Sequence, residues 1–159
     1  MLEPKPIGFQ TENHLIDAGY YWSLEGRATW DQVLAAVDGP TGPLWDNSSS
    51  SYNGEHDRVS EATANPAQGS LRLVEVHDLE VQVVVEGAAF NNAKRKLRGR
   101  FTHGGVQHCL SITDSVVERD FLAKPDGVYP VGYAVLCISL GEPWQGWAYK
   151  LIAAIMQPE

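Results

Sequence analysis

Cysteine and positive charge are scarce in this chain, and long apolar runs are missing. Two cysteines, Cys109 and Cys137, are too few for a disulfide-stapled scaffold. Both sit in apolar, strand-like stretches, where a thiol behaves as a small hydrophobe. The longest apolar run, Tyr133 to Leu140, is far short of the roughly 18 residues that span a bilayer, so no membrane partner is expected. The opening Met1-Leu2-Glu3-Pro4-Lys5-Pro6 lacks the basic start and apolar core of a secretory signal. A cytoplasmic location is therefore expected. Twelve Lys+Arg against 20 Asp+Glu leave a formal charge of −8, which excludes coating of nucleic acid through bulk charge. Nucleophile-elbow, Walker-type, HExxH and kinase signatures are all missing, so no cofactor is expected and catalysis is unsupported. With 159 residues, 43% of them hydrophobic, the chain has the size of one folded domain or two very small ones.

The hydrophobic pattern has period two from Leu71 onward. Leu79, Val81, Val83 and Val85 alternate with Glu80, Gln82, Val84 and Glu86, as in a strand with one buried face. A shorter strand over Ser70 to Val76 precedes it, with His77-Asp78 as the expected turn. From Lys94 to His103 the alternation sorts Lys94, Lys96, Arg98, Arg100 and Thr102 to one face and Leu97, Gly99, Phe101 and His103 to the other. Gly104-Gly105 is a two-residue hairpin signal, because glycine accepts positive φ at no steric penalty. Pairing His103 with Val106 then sets Phe101 opposite His108, Arg100 opposite Cys109 and Arg98 opposite Ser111. Thr113-Asp114 are good N-cap types for a short helix over Ser115 to Leu122, with Val116, Val117, Phe121 and Leu122 as its apolar contacts. Pro125-Asp126-Gly127 breaks the chain, and strands follow over Tyr133 to Leu140 and Trp147 to Met156.

Three strands, a helix and two strands is the order of an OB-like Greek-key barrel, so the expected fold is mainly β with its barrel over residues 70–159. The front of the chain, residues 1–69, is irregular. Thr29-Trp30-Asp31-Gln32 has the form of a capping box opening a helix over Trp30 to Val37, which Gly39-Pro40 ends. Gly42 to Gln68 shows no periodicity, but Leu44, Trp45, Tyr52 and Val59 favour an ordered loop over a linker. No repeat of fixed period is evident.

Charge is the strongest functional signal. No Asp or Glu occurs between Gly87 and Thr113, whereas Lys94, Arg95, Lys96, Arg98 and Arg100 bring five positive charges. The other residues carry seven positive and 20 negative charges, a net of −13. On an OB barrel such a strand face is a platform for single-stranded DNA or RNA, which needs spaced cations for phosphates and aromatic rings for bases. The same alternation also solvates a sheet face, or docks it on an acidic partner or on a second copy. Trp144 in the Gly/Pro loop and Tyr52 in the Ser-rich loop are the aromatics expected outside; Trp22, Trp30, Trp147 and Tyr149 lie in patterned segments and are expected to pack. Tyr52, Asn53, Asp57 and Arg58 combine a ring with donors and acceptors suited to a nucleotide ligand, and Glu142 sits beside Trp144; a turn with an Asp57 or Arg58 tether is the plainer reading. His103, His108 and Cys109 invite a metal, but adjacent His108 and Cys109 point to opposite faces of a strand, so none is expected.

Four stretches carry a family resemblance: Gly8-Phe9-Gln10-Thr11-Glu12-Asn13-His14-Leu15-Ile16-Asp17, Ser51-Tyr52-Asn53-Gly54-Glu55-His56-Asp57-Arg58-Val59, Asn92-Ala93-Lys94-Arg95, and Cys137 to Leu151 with its Gly141-Glu142-Pro143-Trp144-Gln145-Gly146-Trp147 centre. Together they resemble the dual OB-containing domain family of prokaryotic conflict and defence loci. The resemblance implies two OB-like barrels that sense nucleic acid or nucleotide-derived ligands, with no catalytic residues. Similar proteins carry a further strand-rich segment ahead of Leu2-Glu3-Pro4. Residues 1–69 are accordingly expected to be a partial first unit, or an extension packed on the second. The expectation is a non-enzymatic recognition module, with a protein-interaction module and a nucleotide-processing pocket as rival readings.

Overall fold

The computed structural model describes residues 2–6, 8–19, 21, 23–39, 42–65 and 68–158. Trp22 and Pro40, both singled out above, lie outside the described residues.

The alternating segments form a closed barrel. Its strands are β4 (Leu71–Glu86), β5 (Lys94–His103), β6 (Val106–Ile112), β7 (Gly127–Leu140) and β8 (Trp147–Met156). They follow one another around the barrel as β4-β5-β6-β8-β7, and β7 closes back on β4. All neighbours are antiparallel except β6 and β8, which run parallel. A helix, α2 (Ser115–Leu122), lies between the third and fourth barrel strands. This is the OB topology that the element order predicts. The hairpin register is as counted from Gly104-Gly105, with His103 opposite Val106 and Arg98 opposite Ser111.

His77-Asp78 is not a turn. β4 runs unbroken for 16 residues, and the register shifts between Val76 and Leu79 instead. A bulge absorbs two successive polar residues without ending the strand and bends it so that it serves both sides of the barrel. Asp78 preserves the ladder there, since its Oδ1 accepts the Thr102 amide at 3.0 Å. β7 likewise begins earlier than expected, at Gly127.

The inward alternates of β4, Leu79, Val81 and Val83, are fully buried with Leu97, Phe101, Leu110, Leu136 and Ile152. Each such side chain contributes about 1.5–3 kcal/mol by leaving water. Gly99 belongs to this face because a Cβ there would stand 2.3 Å from Ile152 Cδ1. Asp114 caps α2 through the Val116 and Val117 amides. Val117, Phe121 and Leu122 pack against the core, but Val116 faces solvent, since a helix laid across a barrel end buries only one stripe.

Ahead of the barrel, β1 (Leu2–Pro4) pairs antiparallel with β2 (His14–Ile16). The helix α1 (Trp30–Ala35) starts at Thr29 with both capping-box hydrogen bonds present, and it stops two residues short of Val37. β3 (Arg58–Ser60) adds to the barrel along β8. These segments share the barrel's core through Phe9, Leu44, Trp45 and Val59. Gln10 Nε2 donates to the Leu140 carbonyl at 2.9 Å, and Glu12 accepts from the Ser70 amide at 2.7 Å. Trp30, Trp147 and Tyr149 are half-buried at the surface and not core residues. Trp30 meets Tyr133 edge-on, and the Arg58 guanidinium lies 4.1 Å over the Trp147 ring. Among the described residues, no helix is long and apolar enough to cross a membrane.

Candidate functional site

The outer face of β5 and β6 is covered in its middle by residues 48–57, here called the strap. Its start and end are joined by a bridge between Ser49 and Arg58. Glu55 pairs with Cys109 in both directions, its amide donating at 3.1 Å and its carbonyl accepting at 3.0 Å. Gly54 permits this path, because a Cβ there would fall 1.8 Å from Asp57 Oδ2. Asp57 is buried and accepts from the Ser51 amide and hydroxyl.

The strap divides the row of cations. Arg98 is only 7% exposed. Its Nε donates to Glu86 Oε1 at 2.7 Å, and its guanidinium stands 3.6 Å from Asp57 Oδ2. A buried guanidinium needs a carboxylate whose planar geometry it matches, so Arg98 is a structural ion pair and not part of a solvent-facing row. Arg100 is half-exposed, 3.6 Å from Glu55 Oε2 and 3.0 Å from Gln107 Oε1. Arg95, on the opposite parity, donates to Asp126 at 2.8 Å and to the Leu122 carbonyl at 2.7 Å, anchoring the end of α2. Lys94 and Lys96 remain exposed, and neither is engaged by a carboxylate among the described residues.

Those two lysines line an open pocket of about 450 Å³. Tyr52 and Asn53 from the strap form one wall; Gly87 to Phe90 and Asn92, from the loop joining β4 to β5, form the other. Tyr52 and Phe90 are 90% and 78% exposed, so both rings are free to stack. Two ammonium groups, two rings and two amides thus converge, beside the Glu86 carboxylate that Arg98 neutralises, on a volume within the few hundred to a thousand Å³ typical of small-molecule sites. Phe90 was not singled out in the sequence, yet its loop joins the first two barrel strands, a segment through which OB barrels bind ligands. Gly87 and Asn91, both at positive φ, are the local signal of that tight loop.

The remaining candidate residues lie elsewhere. Asp57 and Arg58 are tethers, with Arg58 Nε donating to Ser49 Oγ at 2.9 Å. Glu142 and Trp144 are exposed but do not line the pocket. Trp144 is held by main-chain bonds to Trp147. Cys109 and Cys137 are free thiols, their pKa values pushed up by burial. His103 lines a separate cavity of about 330 Å³ with His77 and Glu75. Among the described residues, no group of three or more His, Cys, Asp or Glu side chains is placed to hold a metal ion.

Two buried bases lie against residues 46–56, Lys150 at Asp46 and Asn47 and His108 at the ring of His56. His108 is 0% exposed, stacked on Phe101, and neither ring nitrogen makes a hydrogen bond of ordinary geometry. Burial, and then the Lys150 ammonium, lower its pKa to about 4, against a weaker pull from the His56 carbonyl. Lys150 is 1% exposed and donates to the Asp46 carbonyl at 2.8 Å and to Asn47 Oδ1 at 2.7 Å. Burial brings its pKa down to about 8, with Asp46 and Asp57 opposing the shift.

No curated protein and no solved structure matches the chain. The family model described as the dual OB-containing domain matches residues 1–155, nearly the whole length. The chain therefore belongs to the dual OB-containing domain family.

Proposed function

We propose that the protein is a non-enzymatic recognition module for nucleic acid or a nucleotide-derived ligand, bound in the pocket between the strap and the β4–β5 loop. The observation that carries this reading is the convergence of Lys94 and Lys96 with the exposed rings of Tyr52 and Phe90. Phosphate neutralisation and base stacking need those two kinds of group within one nucleotide's reach. Membership in an OB-containing family supports it, because OB barrels serve nucleic-acid and ligand recognition generally. In this reading Arg98, paired with Glu86, backs the pocket, Arg95 anchors α2, Arg100 is held by Glu55 beside the site, and the lysines are the contacts.

Anisotropy of a labelled oligothymidylate, titrated at two salt concentrations, tests the proposal. Wild-type binding is expected to weaken as salt rises, and Lys94→Glu with Lys96→Glu to abolish it. Phe90→Ala and Tyr52→Ala are each expected to lose about 1–3 kcal/mol. Binding that survives the double charge reversal in a folded protein rejects the site.

A further inference from the structure

We propose that this pocket takes a single phosphorylated nucleotide, free or at the end of a chain, and that the strap keeps a running single strand off the β5–β6 face. The inference rests on the recognition reading above and narrows its ligand class.

A strand that runs through an OB groove needs successive phosphates neutralised and successive bases stacked along the outer face of the second and third barrel strands. In this protein the middle of that face is already filled. The strap's main chain is paired with Cys109, and its two carboxylates, Glu55 and Asp57, each stand 3.6 Å from a guanidinium, Arg100 and Arg98. Carboxylates thus occupy the positions from which those guanidinium groups would otherwise hold phosphates. The open end of the face retains Lys94 and Lys96 and two exposed rings, enough for one phosphorylated nucleotide. The strap also supplies Tyr52 and Asn53 to the pocket wall. One segment therefore both closes the polymer track and completes the nucleotide site.

Length dependence provides the test. Isothermal titration compares thymidine 5′-monophosphate with a 5′-phosphorylated 15-residue oligothymidylate, for wild type and for Glu55→Ala. Glu55 does not line the pocket, and its substitution leaves Tyr52 and Asn53 in place while releasing Arg100. In wild type the two ligands are expected to bind within tenfold of each other. The 15-mer should show a log–log salt slope of about −1.4, as for two lysine contacts to a single strand. Glu55→Ala is expected to tighten the 15-mer at least threefold while leaving the monophosphate within twofold. A 15-mer bound more than tenfold tighter than the monophosphate by wild type, or a slope of about −3 or steeper, overturns the single-nucleotide assignment and leaves the recognition reading standing. Equal effects of Glu55→Ala on both ligands overturn the role given to the strap. If neither ligand binds wild type at low salt, both proposals fall together.

Discussion

Acid should loosen this protein through one side chain, His108. Its ring is fully buried against Phe101 with neither nitrogen in a hydrogen bond of ordinary geometry, and Lys150, His56 and His103 are the charged or titratable groups whose fields reach it. The folded state therefore holds the imidazole neutral down to about pH 4, whereas an unfolded chain takes up the proton near 6.5. Because the unfolded state binds more protons over that interval, the contribution is present above pH 6.5 and is lost as pH falls toward 4. By pH 5 nearly all unfolded chains but only about a tenth of folded ones carry the proton, which amounts to about 2 kcal/mol lost relative to pH 7. His108→Leu keeps an apolar ring-sized volume beside Phe101 and removes the titration. Urea denaturation at pH 7 and pH 5 reads the difference. Wild type should lose about 2 kcal/mol more than His108→Leu between the two pH values, a midpoint shift on the order of 1 M. Identical losses in the two proteins would show that the ring is hydrated or paired in solution, and the assignment of the acid transition would fail.

Lys150 gives the mirror case at high pH. A base with a lowered folded pKa is carried protonated at a disadvantage, so stability should rise by about 1.5 kcal/mol between pH 8 and 9.5. The rise is expected to disappear in Lys150→Met, as measured by thermal melts. Asp114→Ala removes the cap on Val116 and Val117 and the acceptor of the Ile155 amide at 3.1 Å. A loss of about 2 kcal/mol in urea is expected, and a smaller one for Asp114→Asn. Gly99→Ala should lose about 1–3 kcal/mol by overpacking against Ile152. Adding Ile152→Val should recover part of that loss; additive effects would contradict the contact.

Local patterns decided the barrel. Alternation along β5 and β6, the glycine pair between them, the Asp114 cap and the Thr29 capping box each act over a few residues, and each stands where the pattern puts it. The error at His77-Asp78 arose because two polar residues read alike in a turn and in a bulge, and only pairing with β7 and Thr102 distinguishes them. The alternation also placed Lys94, Lys96, Arg98 and Arg100 on one face correctly. It could not say which of them meet water, since Glu55 and Asp57 approach that face from some forty residues earlier in the chain. Phe90 and Tyr52 are likewise joined only by the path of the strap. Hydrophobic period and turn chemistry are properties of neighbours in sequence and so can be read along the chain. Ion pairing and the walls of a pocket depend on where a long, aperiodic loop comes to rest, and that is settled by packing.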